Sequence, residues 1–183
     1  VCSSDLAGDH LGAALTILDE TPGASGVERV DMLRELGQLR RREADNAAAE
    51  RLYRHALALA DSLGLGEAGG AAERLLNGVR SDYGLLLQTV DRIDEAAEVL
   101  EALADSERRL LAPDDVDLAT TLNNLALVRR AQGDVGGAIE LFEETLEVLR
   151  AAFGPSHVYV ATVLESIGSL EQRRGRPGRS EEH

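Results

Sequence analysis

The stretch GLGEAG, from Gly64 to Gly69, satisfies the pattern G-x-G-x-x-G, whose chemistry is to cradle a pyrophosphate against the start of a helix. That chemistry requires a strand directly before the loop. The residues that precede it, ERLYRHALALADSL, space their apolar side chains as a helix does, so the glycines read as a loop between helices. His10, His55 and His157 stand far apart, with no H-x-x-x-H spacing or companion carboxylates, and no metal site is expected of them. Glu143 with Glu144, and Glu98 with Glu101, are carboxylate pairs on exposed helix faces, where nothing raises a pKa toward acid–base work. Tyr53, Phe142 and Tyr159 are assigned to core or inter-repeat packing rather than to a stacking platform. No catalytic residue, cofactor or metal follows from these patterns, and the chain is expected not to be an enzyme.

The two ends are expected to be foreign to the protein. Val1 to Leu6 can be encoded by GTG TGC TCT TCC GAT CT and Arg179 to His183 by AGA TCG GAA GAG CAC, two strings that are reverse complements over their shared length. One sequencing adapter read into both ends of an insert produces that relation. Residues 1–6 and 179–183 are therefore set aside as adapter-derived, with 7–178 as the native part of a longer protein. Cys2, the single cysteine, goes with the flank, which removes disulfides and thiol chemistry from consideration. The formal net charge of −14 over 183 residues disfavours nucleic acid and anionic membranes, because phosphate binding draws on clustered Lys and Arg. All 19 basic residues are arginine, which with abundant Ala and Gly suggests a GC-rich, bacterial source; a cytoplasmic location is expected. Ala, Leu, Glu and Arg dominate, aromatics are 3%, and no apolar run reaches the ~20 residues of a membrane span.

Sliding the chain by about 42 residues aligns Pro113 with Pro155, Val116 with Val158, Ala119 with Ala161, Leu122 with Leu164 and Gly133 with Gly175. The same shift places Ala96 on Ala138, Leu100 on Phe142 and Glu101 on Glu143, and one of about 47 places Gly37 on Gly84 and Tyr53 on Leu100. The expected organisation is a partial repeat over 7–22, repeats over 27–64, 71–112 and 113–154, and a partial repeat over 155–176. Each repeat is a pair of helices. In the third, Leu118, Leu122, Leu125 and Val128 mark one apolar stripe, and Ala138, Leu141, Phe142, Thr145 and Leu149 mark the other. Gly133 suits a left-handed helix end and Asp134 a cap for the helix that follows. Gly37, Gly84, Ala126 and Gly168 fall at one position of every first helix, where a minimal side chain lets the partner helix approach.

With ATTLNNLALVRRAQGD and FGPSHVYVAT in place, the chain resembles the tetratricopeptide repeat family, and its longer spacing is similar to the kinesin-light-chain type of repeat. The match departs at Arg80, which stands where Leu33, Leu122 and Leu164 are apolar. The resemblance implies an all-α fold, a right-handed α-solenoid of antiparallel helix pairs whose first helices line a concave groove for a peptide or partner segment. One pair cannot bury its apolar face alone and must stack on neighbours.

The residues left over by the packing stripe are the groove candidates: Arg34, Gln38 and Arg41 with Asp31 in the first full repeat; Ser81, Leu85 and Gln88 in the second; Thr120, Asn123, Leu127 and Arg130 in the third; Thr162, Glu165 and Ser169 with Gln172 in the fourth. Asn123 stands out because an amide is both donor and acceptor and can hold an extended peptide backbone; the competing reading of Asn123 or Asn124 is a hydrogen bond between helices. Arg34, Arg41 and Arg42 form either a solvated face or a site for an acidic ligand. The expected function is a protein-interaction module with no nucleic-acid or membrane partner, its groove open to a separate protein or to a segment of the parent chain. The alternative is a regulatory segment of a larger bacterial signalling enzyme, such as a Ser/Thr protein kinase or an ATPase-linked regulator, with the catalytic domain elsewhere. A nucleic-acid-binding repeat ranks last, since only the first full repeat offers a basic stripe.

Overall fold

A computed structural model describes residues 24–174; the flanks 1–6 and 179–183, the partial repeat 7–22 and the last residues of the partial repeat 155–176 lie outside them. Among the described residues there are seven α-helices and no strand. The chain divides into two compact units, Val1–Asp91 and Arg92–His183.

In the first unit, α1 (Gly26–Arg42), α2 (Asn46–Ser62) and α3 (Gly70–Thr89) pack on one another. A capping box starts α1: the Ser25 hydroxyl accepts from Glu28 N at 3.2 Å and the Glu28 carboxylate accepts from Ser25 N at 2.7 Å. Ala44 ends α1 at φ 62°, giving its N–H to Arg41 O, while Asp45 N reaches Arg40 O, a Schellman turn built on a residue with a Cβ. Asp45 then caps α2 through Ala48 N at 3.0 Å. The tight turn brings α1 onto α2 at Gly37, where an added Cβ would stand 2.6 Å from the Tyr53 ring. Tyr53, Leu52, Leu33 and Val30 form the fully or nearly fully buried core between the helices. GLGEAG is a loop after a helix, with Gly64 and Gly69 at φ 65° and Leu65 buried beneath them. Arg80 leaves α3 intact: it is half-buried and donates to Asn77 Oδ1 at 3.2 Å.

In the second unit, α4 (Ile93–Leu110) packs on α5 (Val116–Ala131), α5 on α6 (Val135–Phe153) and α6 on α7 (Val158–Arg174). The α5–α6 turn repeats the α1–α2 device with the residue type that suits it: Gly133 lies at φ 83°, its N–H bonds Arg130 O, and Asp134 N bonds Arg129 O. Asp134 Oδ1 accepts from Gly137 N at 2.9 Å, as a helix cap should. Leu122, Ala126 and Phe142 are fully buried, and Leu125 is nearly so. Glu107 on α4 is also buried, and its Oε2 has no hydrogen-bond partner. Burial pushes this carboxyl up, the nearby Thr121 hydroxyl opposes this, and the Asp117 and Asp115 charges add to it. No helix among the described residues is long and apolar enough to cross a membrane.

Two stability predictions follow from the turns and the buried carboxyl. A left-handed residue with a Cβ costs roughly 1–2 kcal/mol, of which glycine's extra unfolded entropy offsets part. Ala44→Gly should therefore raise stability by about 0.5–1 kcal/mol, and Gly133→Ala should lower it by about 1 kcal/mol, both read by thermal melting. For Glu107 the folded state favours the protonated form, so its contribution is complete below the ordinary carboxylate range and is lost as pH rises through the raised value. Glu107→Gln should raise the melting temperature at neutral pH, with the gain shrinking on acidification. A pH-independent gain would place the effect in packing instead of charge.

Candidate functional site

Between the helices α5, α6 and α7 lies an open cavity of about 310 Å³ lined by Val116, Ala119, Thr120, Asn123, Thr145, Leu149, Tyr159, Thr162 and Val163. Three of the groove candidates, Thr120, Asn123 and Thr162, meet there. They do so because consecutive first helices present the same register position on facing sides. α5 contributes Val116, Ala119, Thr120 and Asn123, α6 contributes Thr145 and Leu149, α7 contributes Tyr159, Thr162 and Val163, and no charged side chain lines it. Each threonine hydroxyl is bound to its own helix: Thr120 donates to Val116 O at 3.0 Å, Thr145 to Leu141 O at 2.8 Å and Thr162 to Val158 O at 3.1 Å. Asn123 is half-buried, and neither it nor Asn124 bonds another described residue. The Asn123 amide and the Tyr159 hydroxyl are thus the side-chain polar groups of the cavity without a hydrogen-bond partner among the described residues.

The remaining candidates are placed differently. Leu127 is half-buried on the stripe of Asn123, Arg130 and Glu165 are exposed, and Ser169 donates to Ser166 O at 2.8 Å. Ser81 and Leu85 are exposed on α3. In the first compact unit the cations are drawn inward: Arg34 Nε and Gln38 Nε2 each donate to Asp82 Oδ2 at 2.7 Å, tying α1 to α3. Gly78 makes room for this, since a Cβ there would lie 2.5 Å from the Arg34 guanidinium carbon. Arg41 Nε, Gln88 Nε2 and the Tyr53 hydroxyl are buried without hydrogen-bond partners. Burial pushes the Tyr53 phenol up, the Asp82 charge adds to this, and Arg41 and Arg34 oppose it.

Sequence reasoning missed the second-helix wall and misplaced one ring. Thr145 and Leu149 belong to the apolar stripe of α6, and nothing in their spacing separates core from cavity. Tyr159 was expected in the packing, yet it is 54% exposed and borders the cavity. It joins a ring cluster around the α6–α7 turn: Phe153 stacks on His157 with centroids 4.5 Å apart, and Tyr159 meets both edge-on, at 5.8 Å from Phe153 and 4.9 Å from His157. His157 lies in the loop after Pro155, where its position suggested. Among the described residues no cluster of His, Cys, Asp and Glu is arranged to hold a metal.

Comparison with known proteins agrees with this architecture. The sequence matches the tetratricopeptide repeat family over residues 75–151 and 117–183, more than half of the chain. Among solved structures, BtubC (BKLC) from P. vanneervenii is similar at 26% identity and a TM-score of 0.64, covering 93% of this chain. The chain spans 65% of that protein's length. A Podosopora anserina protein described as a kinesin light chain with nearly identical TPR-like repeats is 17% identical, covers 81% of this chain and 68% of its own, and has a TM-score of 0.64. The N-terminal domain of stress-induced protein-1 from C. elegans shares the fold at 12% identity, 81% and 99% coverage and a TM-score of 0.58. The chain belongs to the tetratricopeptide repeat family, as an all-α solenoid with kinesin-light-chain-like repeats.

Proposed function

We propose that the chain is a protein-interaction module that holds an extended segment of a partner protein at the cavity between α5, α6 and α7. Tetratricopeptide repeats are in general protein-interaction modules on a fold that typically carries no catalysis. The observation that supports a site at this place is the Asn123 amide. It borders a cavity whose three threonine hydroxyls are already bonded within their helices, and it has no partner of its own among the described residues. A half-buried amide without partners forgoes hydrogen bonds that an extended backbone, with one N–H and one C=O per residue, supplies. The cavity wall would take an uncharged side chain of the same segment, and Leu127 and Arg130 continue the stripe along α5. Arg34 and Gln38 serve instead to join α1 and α3.

The test separates binding from packing within α5. Peptides are selected from a displayed random library on the wild-type chain at neutral pH, and affinity and melting are then measured on two variants. Asn123→Ala should stay within about 0.5 kcal/mol of wild-type stability and lose about 1–3 kcal/mol of peptide affinity. Leu125→Ala, which empties a buried site, should cost about 2–5 kcal/mol of stability. Peptides that bind Asn123→Ala as well as wild type, or a library that yields none, would remove this site from consideration.

A further inference from the structure

The first turn of α7 is held by an imidazole side chain. Tyr159 N donates to His157 Nδ1 at 3.3 Å, and Ala161 N donates to His157 O at 3.3 Å, so His157 occupies the cap position of the helix. One repeat earlier the equivalent residue is Asp115, whose carboxylate accepts from Asp117 N at 2.9 Å in the same two-residue geometry. The capping bond is retained, but the acceptor has changed from a carboxylate to an imidazole. The residue whose N–H is capped has changed too, from Asp117 to Tyr159, and Tyr159 borders the cavity. Phe153 stacks on one face of the imidazole and Tyr159 meets its edge, so the ring links the end of α6 to the start of α7.

We infer that His157 is a pH-sensitive positioning residue for the cavity: as a neutral imidazole it caps α7 and fixes Tyr159, and on protonation it releases both and weakens partner binding. The inference rests on the reading of the cavity as a binding site. Its chemistry is that of the ring nitrogens. A protonated Nδ1 has no lone pair with which to accept the Tyr159 N–H, and a positive charge at a helix start opposes the macrodipole. Imidazoles as a class change charge in the weakly acidic range, and carboxylates as a class only in stronger acid. The groups that could mask the effect are few. On α6 the nearest charged side chain in sequence is Arg150, and on α7 the titratable groups of the first turns are Tyr159 and Glu165. Among the described residues none forms an ion pair with the imidazole. Since the capped helix takes the neutral ring, protons compete with the cap. Affinity is therefore highest above the imidazole range and falls below it.

Two measurements test this on the whole chain. In the free protein, NMR from about pH 8 to about pH 5 should show the Tyr159 amide shift and its exchange protection following the His157 ring titration. For the library-selected peptide, wild-type affinity should weaken about tenfold across that range, as the loss of a cap together with an adverse dipole contact implies. His157→Asn supplies an oxygen acceptor that does not titrate, so it should keep the neutral-pH affinity and abolish the pH dependence. His157→Ala should bind weakly throughout. A Tyr159 amide indifferent to the His157 titration overturns the inference. So does a His157→Asn variant that keeps the wild-type pH dependence, or a wild type whose affinity does not change with pH. A library without binders defeats the binding reading instead, while the Tyr159 titration still decides whether the cap releases.

Discussion

How closely two antiparallel helices can approach decides most of what this chain does with its residues. At the α1–α2 crossing the Tyr53 ring lies where a Cβ on Gly37 would stand 2.6 Å away, so glycine there is a condition of the contact. Ala126, the equivalent in α5, is fully buried, as is Phe142, the counterpart of Tyr53. The turns are set by the same demand. A short connection between close helices requires a left-handed residue, and Ala44 and Gly133 adopt one at the same point of their repeats, at φ 62° and 83°. Two residue types in one conformation show that geometry, not side-chain chemistry, governs that position.

Close approach also explains what could be read from the sequence. Helix pairs, their turns and the small residues recur with the repeat period, and each recurrence is a packing constraint that a side chain either meets or violates. Gly168 marks the boundary of such reasoning: it occupies the small-residue position, yet a Cβ there would meet nothing within 4 Å among the described residues. Leu164, equivalent to the fully buried Leu122, is 46% exposed for the same reason, since no described helix covers that face of α7. Periodicity reports what a position was built to contact, and the contact itself depends on the neighbour being there.

The groove was legible only in part, because polar residues of one helix face divide by partners that sequence spacing does not display. Arg34 and Asn123 share a register position. Arg34 finds Asp82 on the adjacent first helix, with Gly78 clearing its path, and becomes part of the scaffold. Asn123 is too short to make a similar crossing and stays unengaged at the cavity. Thr120 and Thr162 were assigned to the groove stripe, and their hydroxyls fold back on Val116 and Val158. What such threonines offer a ligand is chiefly a methyl group. The cavity is consequently less polar than its composition suggests.

Repeats of one architecture thus come to differ in chemistry at positions that the fold leaves free. The caps of α5 and α7 are both acceptors, and that role is indifferent to whether the acceptor is an oxygen or an imidazole nitrogen; Asp115 and His157 fill it at 2.9 and 3.3 Å. The residue two positions on is constrained only by its backbone N–H, and it is Asp117 in one repeat and Tyr159 in the next. Because Tyr159 borders the cavity and Phe153 stacks on its cap, three unconstrained positions fall together around one turn. Variation at such positions costs the helix pair little, since the core stripes on the opposite faces do not sense it. A solenoid can accordingly acquire a local aromatic cluster beside an open cavity without altering the packing that makes it a solenoid.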